Sequence, residues 1–341
     1  MNKEILNQDI LSFADNFKLY DCLRDKRIAI TGATGLLGSC MAKCLLALDK
    51  KRDLCMKITC VVRNEKKARS MFGEDVDIIK HDFCSSQPLA LQERTDFVVH
   101  FASPTASRFF ISNPVETIKT GIYGTEQVIK AAMEANSKSV VYVSSLEVYG
   151  TVYDDTTPLT EDRMGYLDPM QTRSSYPMAK RASECLCAAY YSEYGLPVKI
   201  ARLAQTFGAG VSYEDNRVFA QFAKSVINNE DIILHTKGEL KRCYCYTTDA
   251  IEGILYTMLR GKDGEAYNIA NENTYISIAD MARLVCLNFN PKLKTVIQPQ
   301  DGLGYSPVTK LRLSCDKLRA TGWCPRHDLK DMFNRLIMSL K

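Results

Sequence analysis

The chain has 341 residues, 46% apolar and 25% charged, which suits one large or two modest folded domains and excludes a disordered or collagen-like protein. Its 44 basic and 40 acidic residues leave a net charge of +4, too small and too dispersed for a nucleic-acid or membrane-surface protein. No apolar run approaches the roughly 20 residues a membrane helix needs, and residues 1–25 mix charges through their apolar positions, unlike a secretory leader. Thirteen cysteines without a C-x-x-C pair and four scattered histidines give poor metal-site spacing. They read as reduced, mostly buried thiols of a cytoplasmic protein that holds no metal.

Residues 1–25 read as an amphipathic arm packing on the first lobe. Ile28–Ile30 forms a short apolar strand, followed by a glycine-rich turn at 32–38 and a helix at 39–48. Further strands are expected at 57–62, 76–79, 97–101, 139–143 and 198–203, with helices at 115–135 and 176–194. Gly121 and Gly124 weaken the first of those helices. Near-continuous apolar strands alternating with helices, at about 30 residues per unit, imply a parallel sheet covered on both faces. The fold class is therefore α/β: a Rossmann-type doubly wound parallel sheet over residues 26–203, with a smaller C-terminal lobe over 204–341. The segment 247–270, with a helix at 250–259, is expected to return to the first lobe.

Thr31-Gly32-Ala33-Thr34-Gly35-Leu36-Leu37-Gly38 has the pattern G-x-x-G-x-x-G, follows a strand and opens a helix. Glycines there allow a tight turn and let backbone N–H groups approach a pyrophosphate at a helix N-terminus. A dinucleotide site is expected on Gly32, Thr34, Gly35, Leu36 and Gly38. The second strand ends at Arg63-Asn64, where an acidic residue would meet the ribose hydroxyls of NAD and an arginine a 2′-phosphate. Arg63 thus leans toward NADP(H). Asp82 and Phe83 close the third strand and Ala102 and Ser103 the fourth, so all four join the cofactor set. Asp82 reads either as an acceptor for the adenine amino group or as a helix cap.

Tyr176 and Lys180 are four residues apart and share a helical face. A lysine ammonium there, with a positive nicotinamide ring, stabilises a tyrosinate. Lowering a phenol pKa from near 10 by about 3 units takes roughly 4 kcal/mol. Tyr176 would then be a general base toward an alcohol, or an acid in reverse. Ser145 stands at the exit of the fifth strand, where ligand crevices of doubly wound sheets lie, and Glu147 is two residues on. Ser144 reads as part of a polar turn.

Glycine turn, strand-end serine and Y-x-x-x-K, in that order, resemble the extended short-chain dehydrogenase/reductases, the NAD-dependent epimerase/dehydratase family, from about Lys26 to Arg283. Within it the chain looks most like UDP-glucuronate decarboxylases. The matching stretches are His100-Phe101-Ala102-Ser103-Pro104, Ser144 to Gly150, Arg173 through Arg181, Thr206-Phe207-Gly208, Asp215 to Val218, and Arg242 ahead of Tyr246. The resemblance implies a catalytic set of Ser145, Tyr176 and Lys180, with Glu147 near the sugar. It implies a substrate set of Thr105, Gln205, Arg217, Val218, His235 and Arg242, in which Arg242 binds the nucleotide diphosphate. The overall similarity leans toward NAD, whereas such decarboxylases carry aspartate where Arg63 stands. They also have asparagine in place of Gln205 and Gly121, and threonine in place of Ser145. Leucine at 146, where 4,6-dehydratases have aspartate, argues against dehydration.

Three readings follow. The first is a redox-neutral nucleotide-sugar enzyme working at C4. The second is an NADPH-dependent reductase of a nucleotide-linked keto sugar, motivated by Arg63. The third is a non-catalytic nucleotide sensor of the same fold. The resemblance also implies a homodimer joined by two helices from each copy. The nucleotide base and the sugar stay open.

Overall fold

Helix α1 (Lys3–Asn16) starts at Asn2, whose side chain accepts from the Glu4 N–H, and buries Ile5, Ile10, Phe13 and Ala14 along one stripe. The computed structural model describes residues 2–104, 107–300 and 308–341, without the side chains of Ser107 and Arg108. Next come β1 (Arg27–Thr31), α2 (Leu36–Arg52), β2 (Lys57–Val62), α3 (Glu65–Phe72), β3 (Asp77–Lys80) and β4 (Phe97–His100). They are followed by α4 (Ser107–Ser112), α5 (Pro114–Glu134), β5 (Ser139–Ser145), α6 (Ser175–Tyr194) and β6 (Val198–Leu203). Helix α2 outruns its apolar stretch because Lys50, Lys51 and Arg52 fill its last turn, where cations meet the negative end of the helix dipole.

The rest of the chain forms β7 (Gln205–Phe207), α7 (Val218–Asn228), β8 (Ile232–Leu234), β9 (Lys241–Tyr246), α8 (Thr247–Arg260) and β10 (Ala266–Ile269). After these come β11 (Asn271–Ser277), α9 (Ile278–Phe289), β12 (Thr295–Ile297), β13 (Lys310–Leu311), α10 (Asp316–Arg319) and α11 (Leu329–Leu340). Seven parallel strands form one sheet in the order β10-β6-β5-β4-β1-β2-β3. This is the Rossmann-type doubly wound arrangement, with its switch point between β1 and β4. Each face of the sheet carries its own apolar core. A third core joins α7, α9 and α11 around Phe207, Phe219 and Phe333. Among the described residues no helix is long and apolar enough to cross a membrane.

The second lobe is not one continuous stretch. Strand β10 pairs with β6, and α8 packs against β5 and β6. Residues 310–323, read from sequence as part of the second lobe, also turn back. Leu311, Leu313 and Trp323 lie in the first core, and the Trp323 indole donates to the Asp249 carbonyl at 3.1 Å.

The N-terminal arm differs as well: α1 touches α2 of the first lobe and also α8 and α11. The reason is Asp9, which is 3% exposed within the apolar stripe and needs partners. The Tyr246 hydroxyl donates to it at 2.5 Å and the Arg335 guanidinium at 2.6 Å, and both come from the far end of the chain.

Gly121 and Gly124 have a use that helix propensity hides. A Cβ on Gly121 would lie 2.8 Å from the Ala179 Cβ, and one on Gly124 would lie 3.1 Å from the Phe83 Cβ. The missing side chains let α5 close on α6 and on the exit of β3. The Ser183 hydroxyl then reaches the Gly121 carbonyl at 2.9 Å. We expect Gly121→Leu to cost about 1–3 kcal/mol through overpacking, read as a melting temperature lower by several degrees. An unchanged melting curve would show that the helices do not rely on this approach.

Candidate active site

The carboxyl edge of the sheet opens into a cleft of about 630 Å³ at the switch point. The glycine turn forms its floor. Gly32 has φ +66° and would place a Cβ 2.9 Å from the Ala102 N, so only glycine fits against the end of β4. A Cβ on Gly38 would strike the Gly32 carbonyl and would lie 2.9 Å from the Ala33 Cα. Gly35 is the cap of α2 and offers no side-chain acceptor, so the first N–H groups of that helix are left for an anion. Thr34 and Leu36 line the same floor. This tight turn, which a side chain on Gly32 or Gly38 would push apart, and the open helix N-terminus behind it fit a dinucleotide pyrophosphate.

At the far end of the cleft, Arg63 and Lys67 project from the end of β2 and from α3. Both side chains are exposed, and neither forms an ion pair with any described residue. Asn64, expected among the cofactor residues, is used otherwise. Its side chain caps α3 by accepting from the Lys67 N–H at 2.9 Å, and it does not line the cleft. Asp82 lines the cleft while its carboxylate accepts from the Cys84 N–H at 3.0 Å. Phe83, Ala102 and Ser103 line the cleft too.

Along β5 the side chains alternate. Ser144 is buried in the cleft wall, and its hydroxyl donates to the buried Glu184 at 2.5 Å, itself paired with Arg202 at 2.7 Å. Ser145 faces the cleft and accepts from the Glu147 N–H at 3.2 Å. Tyr176 and Lys180 rise beside it from α6, one turn apart. Tyr176 is 8% exposed and lies flat against Phe110, with ring centres 4.3 Å apart and planes 7° apart.

The electrostatics differ from the sequence expectation. Burial, and then the Glu147 carboxylate, push the Tyr176 phenol above its ordinary value, against the pull of Ser145, Arg173 and Arg217. The Lys180 amine stands 5.8 Å from the Tyr176 ring centre and does not offset this. It donates to the Val143 carbonyl at 2.7 Å, and burial lowers its own pKa to about 8. Spacing along the helix brings the two onto one face, but the carbonyl at the edge of β5 decides where the amine points.

The expected substrate residues divide. Gln205, Arg217 and Arg242 line the cleft. The Arg242 guanidinium reaches the Gln205 amide oxygen at 3.3 Å, and its buried Nε has no partner among the described residues, leaving a donor for an anionic ligand. Arg217 is held by Asp215 at 2.6 Å, which keeps that carboxylate below its usual range. Val218 opens α7 and packs on the third core rather than in the cleft. His235 is not in the cleft either. It follows β8, and its ring meets the Gln298 carbonyl at 3.4 Å, because β8 pairs with β12 away from the sheet edge. Thr105 lies outside the described residues.

Sequence reasoning assigned no part to Arg173 or Phe110, both of which line the cleft, as does Lys67, which read equally as a phosphate contact beside Arg63 or as a solvated basic helix start. The three-residue step from Arg173 to Tyr176 was a usable signal, whereas Phe110 had none. Thr31 and His100 were also passed over. The Ala102 N–H donates to the Thr31 hydroxyl at 3.1 Å, and that hydroxyl meets His100 Nδ1 at 2.7 Å, tying β1 to β4 across the switch point.

Burial lowers the His100 pKa to about 3. A depressed histidine leaves the fold holding the neutral ring, so its stabilisation is full above about pH 6.5 and is lost as pH falls toward 3. Between pH 6.5 and 4.5 we expect His100 to account for a loss on the order of 2–3 kcal/mol, read as a lower denaturation midpoint. His100→Gln should flatten that dependence, and a slope equal to the wild type's would refute it.

The model of the NAD dependent epimerase/dehydratase family matches residues 28–270. UDP-glucuronic acid decarboxylase 3 of Arabidopsis thaliana is 26% identical over 308 residues, covering 85% of this chain and 87% of its own. The dTDP-D-glucose 4,6-dehydratase of Homo sapiens is 27% identical over 329 residues, covering 92% and 89%. The fold is shared with a UDP-glucose 4-epimerase of Thermotoga maritima solved with UDP-glucose, at TM-score 0.76 and 20% identity over 92% of this chain and 98% of that one. It is shared too with a dTDP-glucose 4,6-dehydratase of Streptomyces venezuelae solved with NAD, at TM-score 0.74 and 22% identity over 92% and 96%. With a glycine cradle shaped for a dinucleotide and a family match over most of its length, the chain belongs to the NAD dependent epimerase/dehydratase family of enzymes.

Proposed function

We propose that the protein acts on a nucleoside-diphosphate sugar by oxidation and re-reduction at C4. A bound NAD(P) supplies the hydride acceptor and donor for that carbon. The observation that carries the reading is the convergence of Ser145, Tyr176 and Lys180 at the carboxyl edge of the sheet, in the cleft that also holds the glycine cradle. Tyr176 takes the C4 hydroxyl proton, Ser145 hydrogen-bonds the reacting oxygen, and Lys180 offers a second, movable proton beside them. The α2 N-terminus holds the cofactor pyrophosphate, and Arg242 with Gln205 holds the sugar diphosphate. Glu147 lies near the ring.

On a uronate, the C4 ketone makes the carboxylate a β-keto acid. Carbon dioxide would leave, the ring carbon would take a proton, and hydride supplied by bound NAD(P) would restore the alcohol. Similarity to decarboxylases over 85% of this chain favours this outcome. Leu146 is 3% exposed and packed in the first core, so the strand end presents no carboxylate between Ser145 and Glu147 for eliminating water. UDP-glucuronate incubated with the protein and NAD⁺ should lose carbon dioxide by mass spectrometry. If it is untouched while UDP-glucose or dTDP-glucose is converted, the reaction is epimerisation or dehydration instead. If no nucleotide sugar is converted, the proposal fails.

The exposed Arg63 and Lys67 favour a second reading, net reduction of a nucleotide-linked keto sugar by NADPH. Stoichiometric loss of reduced-nicotinamide absorbance separates the two. We also assign the protein to the cytoplasm, on its thirteen free cysteines. We assign it a homodimeric state, on the exposed Val115, Ile118 and Tyr123 of α5 and Tyr191 and Tyr194 of α6. A monomeric mass in light scattering would overturn the dimer.

A further inference from the structure

Arg173 lies in the single 3-10 turn Thr172–Ser174 that leads into α6, three residues before Tyr176. Its guanidinium grips both oxygens of Glu147, with Nη1–Oε2 and Nη2–Oε1 each 2.9 Å. A planar fork on a carboxylate sets direction as well as distance, which a lysine does not reproduce. The same guanidinium carbon lies 5.2 Å from the centre of the Phe110 ring, on the contact side of cation–π range. That ring is the one stacked on Tyr176. The Phe110 carbonyl also accepts from the Ser175 hydroxyl at 3.2 Å, so α4 is pinned to the start of α6 at two points. Phe110 is 2% exposed, and the stack is closed to water on that side.

We infer that Arg173 is a positioning residue, whose guanidinium holds the Glu147 carboxylate and, through Phe110, the Tyr176 ring in one rigid array at the cleft. The inference rests on the reading of Tyr176 as the proton acceptor. Its consequence is electrostatic as well as geometric. The groups facing Tyr176 are the Glu147 anion, which opposes a phenolate, and Ser145, Arg173 and Arg217, which favour one. Lys180 stands 5.8 Å from the ring, and Arg217 is already neutralised by Asp215 at 2.6 Å. Arg173 therefore does two things at once: it adds a cation and it cancels the nearest anion. Without it, Glu147 would face the phenol unpaired.

The test compares Arg173→Met, Arg173→Lys, Glu147→Gln and the Arg173→Met/Glu147→Gln double variant. Loss of Arg173 to Met should lower kcat by about ten- to a hundredfold and move the acid limb of the kcat/KM profile up by about one pH unit. KM and NAD(P) affinity by calorimetry should stay within about twofold. Arg173→Lys should restore the pH limb but not kcat, because it returns the charge without the fork. With Glu147→Gln already in place, the additional pH shift should shrink to the share that the Arg173 cation itself contributes. A wild-type pH profile in Arg173→Met overturns the inference, and so does an equal fall in cofactor affinity, rate and melting temperature, which marks a merely structural role. Absence of any turnover in the wild type would fail the proposed function instead. The inference is then read from crystals of the wild type and Arg173→Lys. Displacement of the Glu147 carboxylate and the Phe110 ring supports it, and unmoved positions overturn it.

Discussion

Tyr176→Phe should lower kcat by about 10²- to 10⁴-fold and leave NAD(P) affinity nearly unchanged. The variant keeps the aromatic ring, so the stack on Phe110 at 4.3 Å survives and the fold with it. What disappears is the hydroxyl that exchanges a proton with the substrate oxygen. The unliganded phenol is held above its ordinary value by burial and by Glu147. It becomes an effective base only as cations gather around it. Lys180, with its pKa brought down to about 8, is close to the pH at which it can give up a proton. Ser145→Ala should be milder, since one hydrogen bond to the same oxygen is lost while the proton acceptor remains. Turnover by Tyr176→Phe within threefold of the wild type would remove the phenol from the chemistry.

Arg63→Asp should shift the ratio of NADP⁺ to NAD⁺ affinity toward NAD⁺ by at least about tenfold, measured by calorimetry on cofactor-stripped protein. A guanidinium paired with a phosphate dianion makes charge-assisted hydrogen bonds, each about twice as strong as a neutral one. An aspartate in its place would repel that phosphate and accept from the ribose hydroxyls instead. Arg63 is free to act, being exposed at the cleft with no ion-pair partner among the described residues, and Lys67 stands beside it. Asn64 carries no charge to replace it, and its amide oxygen is engaged in capping α3. The family is one of NAD dependent enzymes, and on the reading above the residues at the end of β2 set which form of the dinucleotide is preferred. Equal changes in both affinities would show that Arg63 does not read the 2′-position.

The strands β1 to β6, the helices α5 and α6 and the glycine turn were legible because their signals are local. Apolar runs bounded by polar turns, a G-x-x-G-x-x-G and a four-residue step each act within a few neighbouring residues. Such patterns suffice for a doubly wound sheet, a dinucleotide cradle and a tyrosine and lysine on one helical face. They also place Ser145 at the exit of the fifth strand, where the cleft lies. Partner choice is a different matter, because it depends on groups far apart in the chain. Asp9 meets Tyr246 and Arg335 only once both lobes are assembled. Gly121 reads as a helix weakness until Ala179 arrives against it. Trp323 joins the first core only when its indole finds the Asp249 carbonyl, 74 residues away along the chain. His235 lies outside the cleft, after a strand, β8, that pairs with β12 rather than with the main sheet. Lys180 turns to the Val143 carbonyl, and Glu147 to Arg173, for the same reason. Local pattern chose the fold and the groups proposed to react. Long-range hydrogen bonding and burial chose their directions, their charges and the residue that holds them in register.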